Sequence, residues 1–185
     1  NLAIVPLNED GSIYVYNNRG QIHVALDVVA YLEEGGDAES RTGRIVPLES
    51  PFRSFDTRDA EFGAARLGYS SWEDWSFDAF ANSVRLNGDA VGDPSGLFGN
   101  LTAGGLERLY PTEAVKSFIT MTPASDGAFP DKVENSNLNF DEAGSVANAS
   151  VVTYGSKDGD DNMVSAYNSN GRTHYILDVY AVILD

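Results

Sequence analysis

The chain has no cysteine. Disulfides, thiolate nucleophiles and cysteine-held metals are therefore excluded. Histidine is nearly as scarce, at two residues, His23 and His174. Lys and Arg number 12 against 28 Asp and Glu, for a net charge of −16. So acidic a surface repels phosphate backbones, and no stretch gathers Lys or Arg into a patch. Nucleic acid is not an expected partner. No apolar run approaches the roughly 20 residues of a bilayer-crossing helix, so membrane insertion is not expected. The opening NLAIVPL carries neither Met nor a signal-peptide pattern. It reads as a cut end, a processed terminus or the first ordered residue of a longer protein.

What is present points to a folded all-β chain. Hydrophobic residues make up 42% and aromatics 11% of the 185 residues, with 18 Gly and seven Pro. That composition favours short strands joined by tight turns. No segment holds a long helical period.

The chain also repeats itself. Residues 16–32, YNNRGQIHVALDVVAYL, match residues 167–183, YNSNGRTHYILDVYAVI, at eight of 17 positions. Asn1–Val5 aligns with Asn148–Val152, and the second copy then carries four extra residues around GSKDGDDN, a turn, where insertions are tolerated. Each copy reads as strand, turn, strand, turn, strand. In the last strand Tyr175, Leu177 and Val179 share one face, and His174, Ile176, Asp178 and Tyr180 the other. Both faces carry apolar groups, so this strand is expected inside a sheet.

Between the copies, EEGGDAESRTG (33–43) reads as a linker. Strands are expected within RIVPLESPFRSFDTR (44–58), KSFITMTPASDGAF (116–129), NSNLNF (135–140) and VANASVVTY (146–154). AVGDPSGLFGNLTAGG (90–105) reads as turn-rich. In YSSWEDWSFDAFANSVRLNG (69–88) the aromatics suit either a strand or a helical turn, and both readings stay open.

FRSFDTR (52–58), MTPASDGAF (121–129), SNLNFDEAGSVAN (136–148) and AYNSNGRTHYILDVYAVI (166–183) occur in a familiar order. They resemble the DTR-opening, DVxGYF-closing all-β repeat of actinobacterial exported proteins and of virion proteins of their phages. The closing Gly-Tyr-Phe is replaced by Ala30-Tyr31-Leu32 in one copy and Ala181-Val182-Ile183 in the other. The resemblance implies a tandem array: 1–32 the closing part of a preceding repeat, 33–43 a linker, and 44–185 one complete repeat. The expected fold is an antiparallel β-sandwich of Greek-key or jelly-roll kind. It brings no assigned chemistry.

The candidate residues divide by type. His23 and His174 hold one repeat position, as do Asp27 and Asp178. A catalytic base is rarely duplicated at equivalent places, so a structural imidazole bonded to a neighbouring strand is expected. Each Asp lies four strand residues from its His, roughly 13 Å, too far for a His–Asp pair. A half-buried Asp needs a partner, so Asp27 and Asp178 are expected to accept backbone N–H groups or an Arg, with Arg58 a candidate. Asp56 is expected to cap a turn. The oxygens of Asp158, Asp160, Asp161 and Asn162 lack the Gly and Glu spacing of an EF-hand, so no metal is assigned. No cofactor is expected.

Tyr69, Trp72, Trp75, Phe77 and Phe80 form core, or a face that stacks on sugar rings or packs on protein. The function expected is a non-catalytic structural or adhesive module of a virion or cell exterior. Its partners would be subunits of the same assembly, as a homo-oligomer, and a host-surface glycan. The alternative is a carbohydrate-binding accessory domain of a secreted enzyme.

Overall fold

The computed structural model describes residues 2, 5–26, 28, 30–32, 42–62, 65–78, 85–86, 89–90, 94–108, 116–127, 133, 135–142 and 144–185. Strand accounts for 56% of the chain and helix for 2%. Two antiparallel sheets pack face to face. One has the order β1 (Ile45–Asp56), β11 (Arg172–Leu184), β5 (Pro94–Glu107), β8 (Val146–Thr153). The other has the order β2 (Ser71–Ser76), β10 (Asp160–Asn168), β6 (Lys116–Pro123), β7 (Leu138–Asp141), with β9 (Gly155–Lys157) beside β10. Two-residue strands β3 (Arg85–Leu86) and β4 (Asp89–Ala90) pair with each other. Four main strands in each sheet, with the chain crossing between sheets except at the β6–β7 and β9–β10 connections and with β1 beside β11, make a jelly roll.

Alternation builds the core. Leu97, Leu101 and Ala103 of β5 face Ile119 and Met121 of β6 and Val164 and Ala166 of β10, all buried. β11 adds Tyr175, Leu177 and Val179 at odd positions, then Val182 and Leu184 at even ones. The change of parity is a bulge: Val179 pairs with Gly99 and Ala181 with Phe98, leaving Tyr180 out of register and half-exposed. Burying each of the Leu, Ile, Val and Met side chains here contributes roughly 1.5–3 kcal/mol, and each Ala less.

Residues 69–76, open between strand and helix in sequence, form strand β2 from Ser71. The turn-rich reading of 90–105 is overturned, because β5 runs through it. Its glycines mark close approach. A Cβ at Gly99 would lie 2.6 Å from the Asp178 carbonyl oxygen, and one at Gly96 would lie 2.6 Å from that of Val152. Glycine here lets neighbouring strands touch.

The strands expected in 1–32 do not form among the described residues, which hold no ladder there. A strand needs a neighbour to receive its hydrogen bonds; among the described residues this segment's one bond to the sandwich that the structure gives is Leu2 N–H to Asn148 Oδ1 at 2.9 Å. The turns do form. Gly11 N–H donates to the Asn8 carbonyl at 2.9 Å, and Asn17 Nδ2 donates to the Gly20 carbonyl at 2.8 Å, with Gly20 at φ 71°. The linker reading falls, over 33–41, outside the described residues.

Gly155 offers a test of the packing. A Cβ there would meet the Ala124 carbonyl oxygen at 2.0 Å and its nitrogen at 2.8 Å. Gly155→Ala is expected to lower stability by about 2 kcal/mol or more in urea unfolding, as overpacking against backbone does. Gly11→Ala, strained only by its φ of 78° in open space, should leave the sandwich midpoint unchanged.

Candidate functional site

The corner that closes β1 carries the DTR motif. Asp59 N–H donates to the Asp56 carbonyl at 2.9 Å, and Arg58 N–H donates to Asp56 Oδ1 at 3.1 Å, so Asp56 caps the turn as expected. Its carboxylate also receives Arg58 Nε at 2.8 Å and Nη2 at 2.6 Å. Arg53 adds Nη1 at 3.3 Å. Those hydrogen bonds, Arg58's first, hold Asp56 at about 2 against the opposing push of burial.

Asp178 is partnered by Arg53, in place of the candidate Arg58. Arg53 Nε donates to Oδ1 at 2.9 Å and Nη2 to Oδ2 at 3.1 Å, a bidentate fork. Register explains the choice, since Arg53 and Asp178 stand directly opposite in the β1–β11 ladder. Arg58 lies past the strand end and folds back on Asp56. Asp27, the repeat counterpart of Asp178, lies outside the described residues.

Thr57 pins the next step. Its N–H donates to the Tyr175 carbonyl at 3.1 Å, and its Oγ1 accepts Tyr175 N–H at 2.9 Å. The same hydroxyl lies 3.2 Å from both the Tyr175 carbonyl and His174 Nδ1. His174 thus meets Thr57, just past the end of β1. Burial first, then the Arg66 charge, lowers its pKa from the ordinary value, which keeps the ring neutral near pH 7. A threonine with one proton, two carbonyl or imidazole acceptors and 1% exposure is committed to the ladder and is badly placed to attack a substrate. His23 is exposed, in a different setting from His174.

The aromatic stretch divides between core and surface. Trp75 points inward, stacked on Phe55 at 4.7 Å, and its Nε1–H donates to the Tyr175 hydroxyl. Tyr175 in turn donates to Glu73 Oε2 at 2.8 Å. Burial, then the Glu73 charge, pushes the phenol pKa up. Phe77 is buried and stacks on Tyr154 at 5.4 Å. On the outer face Trp72 leans on Tyr167 at 4.9 Å, half-buried. Tyr69 is exposed. Phe80 lies outside the described residues. Sequence reasoning missed Arg53, Thr57 and Glu73; period-two spacing from Asp178 across a paired β1 would have signalled only the first.

The acidic turn between β9 and β10 is held by protein groups. Asp158 and Gly159 take φ of 56° and 86°. Asp158 N–H donates to Asp126 Oδ1 at 2.6 Å, Ser156 Oγ to Asp161 Oδ1 at 2.5 Å, and Asn162 Nδ2 to Asp78 Oδ1 at 2.9 Å. Among the described residues no three His, Asp or Glu side chains converge as metal ligands.

Among the described residues, most of the exposed large apolar side chains lie in 5–26, 28 and 30–32, where Leu7, Tyr14, Val15, Tyr16, Leu26, Val28 and Tyr31 are all exposed. This segment is the candidate interface. No protein-family model matches the chain, and a search of curated proteins finds no relative.

Two pH effects follow. Asp56 is depressed in the folded state, so its contribution is complete above about pH 4 and lost as pH falls through 2. Arg58→Ala should flatten that acid limb by on the order of 1 kcal/mol, with Arg58 half-exposed and screened. His174 is depressed as well, so its protonation favours the unfolded chain. Stability should fall as pH drops below about 6.5 toward the lower folded value. Urea midpoints of His174→Gln should lack that slope.

Proposed function

We propose that this chain is a non-catalytic structural or adhesive module of an extracellular assembly, a phage virion component of the tail or capsid surface that contacts other subunits or the host. The observation that carries this reading is the set of exposed apolar side chains among the described residues of 5–32. Large apolar groups left in water in such number mark a surface meant for protein. Tyr residues suit such contacts, being apolar in body and polar at the tip. The resemblance of the DTR-opening motifs supports a virion setting. The jelly roll supports it by analogy alone, since that fold serves viral capsid and lectin domains.

The fixed hydrogen bonding of the candidate side chains supports a binding role over turnover. Thr57 and His174 are held by ladder hydrogen bonds, and Asp56 and Asp178 by arginines. A second reading, the carbohydrate-binding domain of a secreted enzyme, rests on Tyr69 beside the half-buried Trp72, a pair that could stack on a sugar ring.

Antibodies against the purified chain should label intact phage particles in electron microscopy. The chain should turn over no glycoside, ester or peptide substrate, and His174→Gln should change its stability alone. Strong glycan-array signals lost on Tyr69→Ala and Trp72→Ala, with no particle labelling, would favour the second reading. Turnover that His174→Gln abolishes without unfolding the sandwich would end the non-catalytic one.

A further inference from the structure

The two copies of the repeated stretch share a turn and differ in everything around it. Asn17 Nδ2 donates to the Gly20 carbonyl at 2.8 Å; Asn168 Nδ2 donates to the Gly171 carbonyl at 3.0 Å. Gly20 and Gly171 have φ of 71° and 63°. The local sequence therefore builds the same hairpin tip twice. Burial then diverges. Leu26 and Val28 are 63% and 78% exposed, whereas their counterparts Leu177 and Val179 are 0%. Val15 is 63% exposed and its counterpart Ala166 is 0%.

The buried copy shows what this pattern requires. β10 lies between β2 and β6, and β11 between β1 and β5. All four come from residues 45–123, ahead of the repeated stretch. The sandwich of this chain has those slots filled by its own β10 and β11, so it offers no vacancy to residues 12–32.

We propose that residues 12–32 are the closing strand pair of a second sandwich, and that their partner is the front of a like module, the equivalent of residues 44–147. Residues 12–16 would lie between that module's counterparts of β2 and β6, and 21–32 between its counterparts of β1 and β5. Val15, Val24, Leu26 and Val28 would enter its core, and Asn17 would keep the hairpin tip. The joint holds whether the modules serve a virion or a secreted enzyme, so it stands or falls apart from that reading.

The test fuses a copy of residues 44–147 ahead of residue 1 of the full chain. A second form carries Val24→Tyr, restoring the phenol that Glu73 and Trp75 meet in the existing sandwich. A control replaces 1–32 by 148–185. Amide exchange is followed by mass spectrometry. In the unfused chain residues 12–32 should exchange as unfolded while β11 is protected. In the Val24→Tyr fusion they should slow by about a hundredfold or more, and Leu26→Asp should reverse this without loosening β11. The proposal is overturned if the control gives two protected sandwiches and neither fusion does, or if neither the fusions nor the control forms a second sandwich. It is equally overturned if the unfused chain protects 12–32 through self-association at raised concentration, which would make a second copy the occupant.

Discussion

Everything in the sandwich is arranged around β11. On one edge it pairs with β5 from Arg172 opposite Glu107 to Leu184 opposite Pro94. On the other it meets Leu67 at Thr173, Thr57 at Tyr175, and β1 from Ile176 to Ile183. The ladder ends with Leu184 N–H donating to Arg44 and Gly43 N–H donating to Leu184. A backbone buried on both edges must have its polar groups satisfied there, because water is excluded. The Arg53–Asp178 fork and the Thr57 hydroxyl fix where along β11 those partners sit. A one-residue slip would separate both and turn Leu177 outward.

The two sheets are tied at one end by Phe55, Trp75 and Tyr175. Phe55 stacks on Trp75 and meets Tyr175 edge-on at 4.9 Å. Apolar stacking alone would tolerate several offsets. The chain of donors from Trp75 through Tyr175 to Glu73 accepts one, since a shift would leave an indole N–H or a carboxylate unpaired at a cost of roughly 1–3 kcal/mol each. A small, part-buried polar network at the margin of the core thereby favours one alignment of the two sheets.

Legibility followed how local each cause was. The alternation of 174–179, with apolar groups on both faces, was enough to place that strand inside a sheet. Asn and Gly at 17–20 and 168–171 were enough to place two turns. Gly96, Gly99 and Gly104 misled, because a glycine needed for close strand contact looks in sequence like one needed for a turn. The partner of Asp178 depended on register, which no local pattern around Arg53 or Arg58 encodes. Residues 21–32 show the limit most plainly. They carry nearly the same pattern as β11, yet a strand is a relation between two segments, and here the second is missing from the described neighbourhood.

The centre of the sandwich is also the last of it to be synthesised. Until β11 emerges, β1 and β5 have no neighbour between them and the slot stands open. Residues 21–32, made earlier and patterned alike, are a ready competitor for it. What discriminates is the side chain at one position. Val24 in the place of Tyr175 would take away the phenol that the part-buried Glu73 and Trp75 N–H both meet, whereas Tyr175 satisfies both. The phenol at 175 is thus the side chain that most clearly distinguishes β11 from the like-patterned residues 21–32.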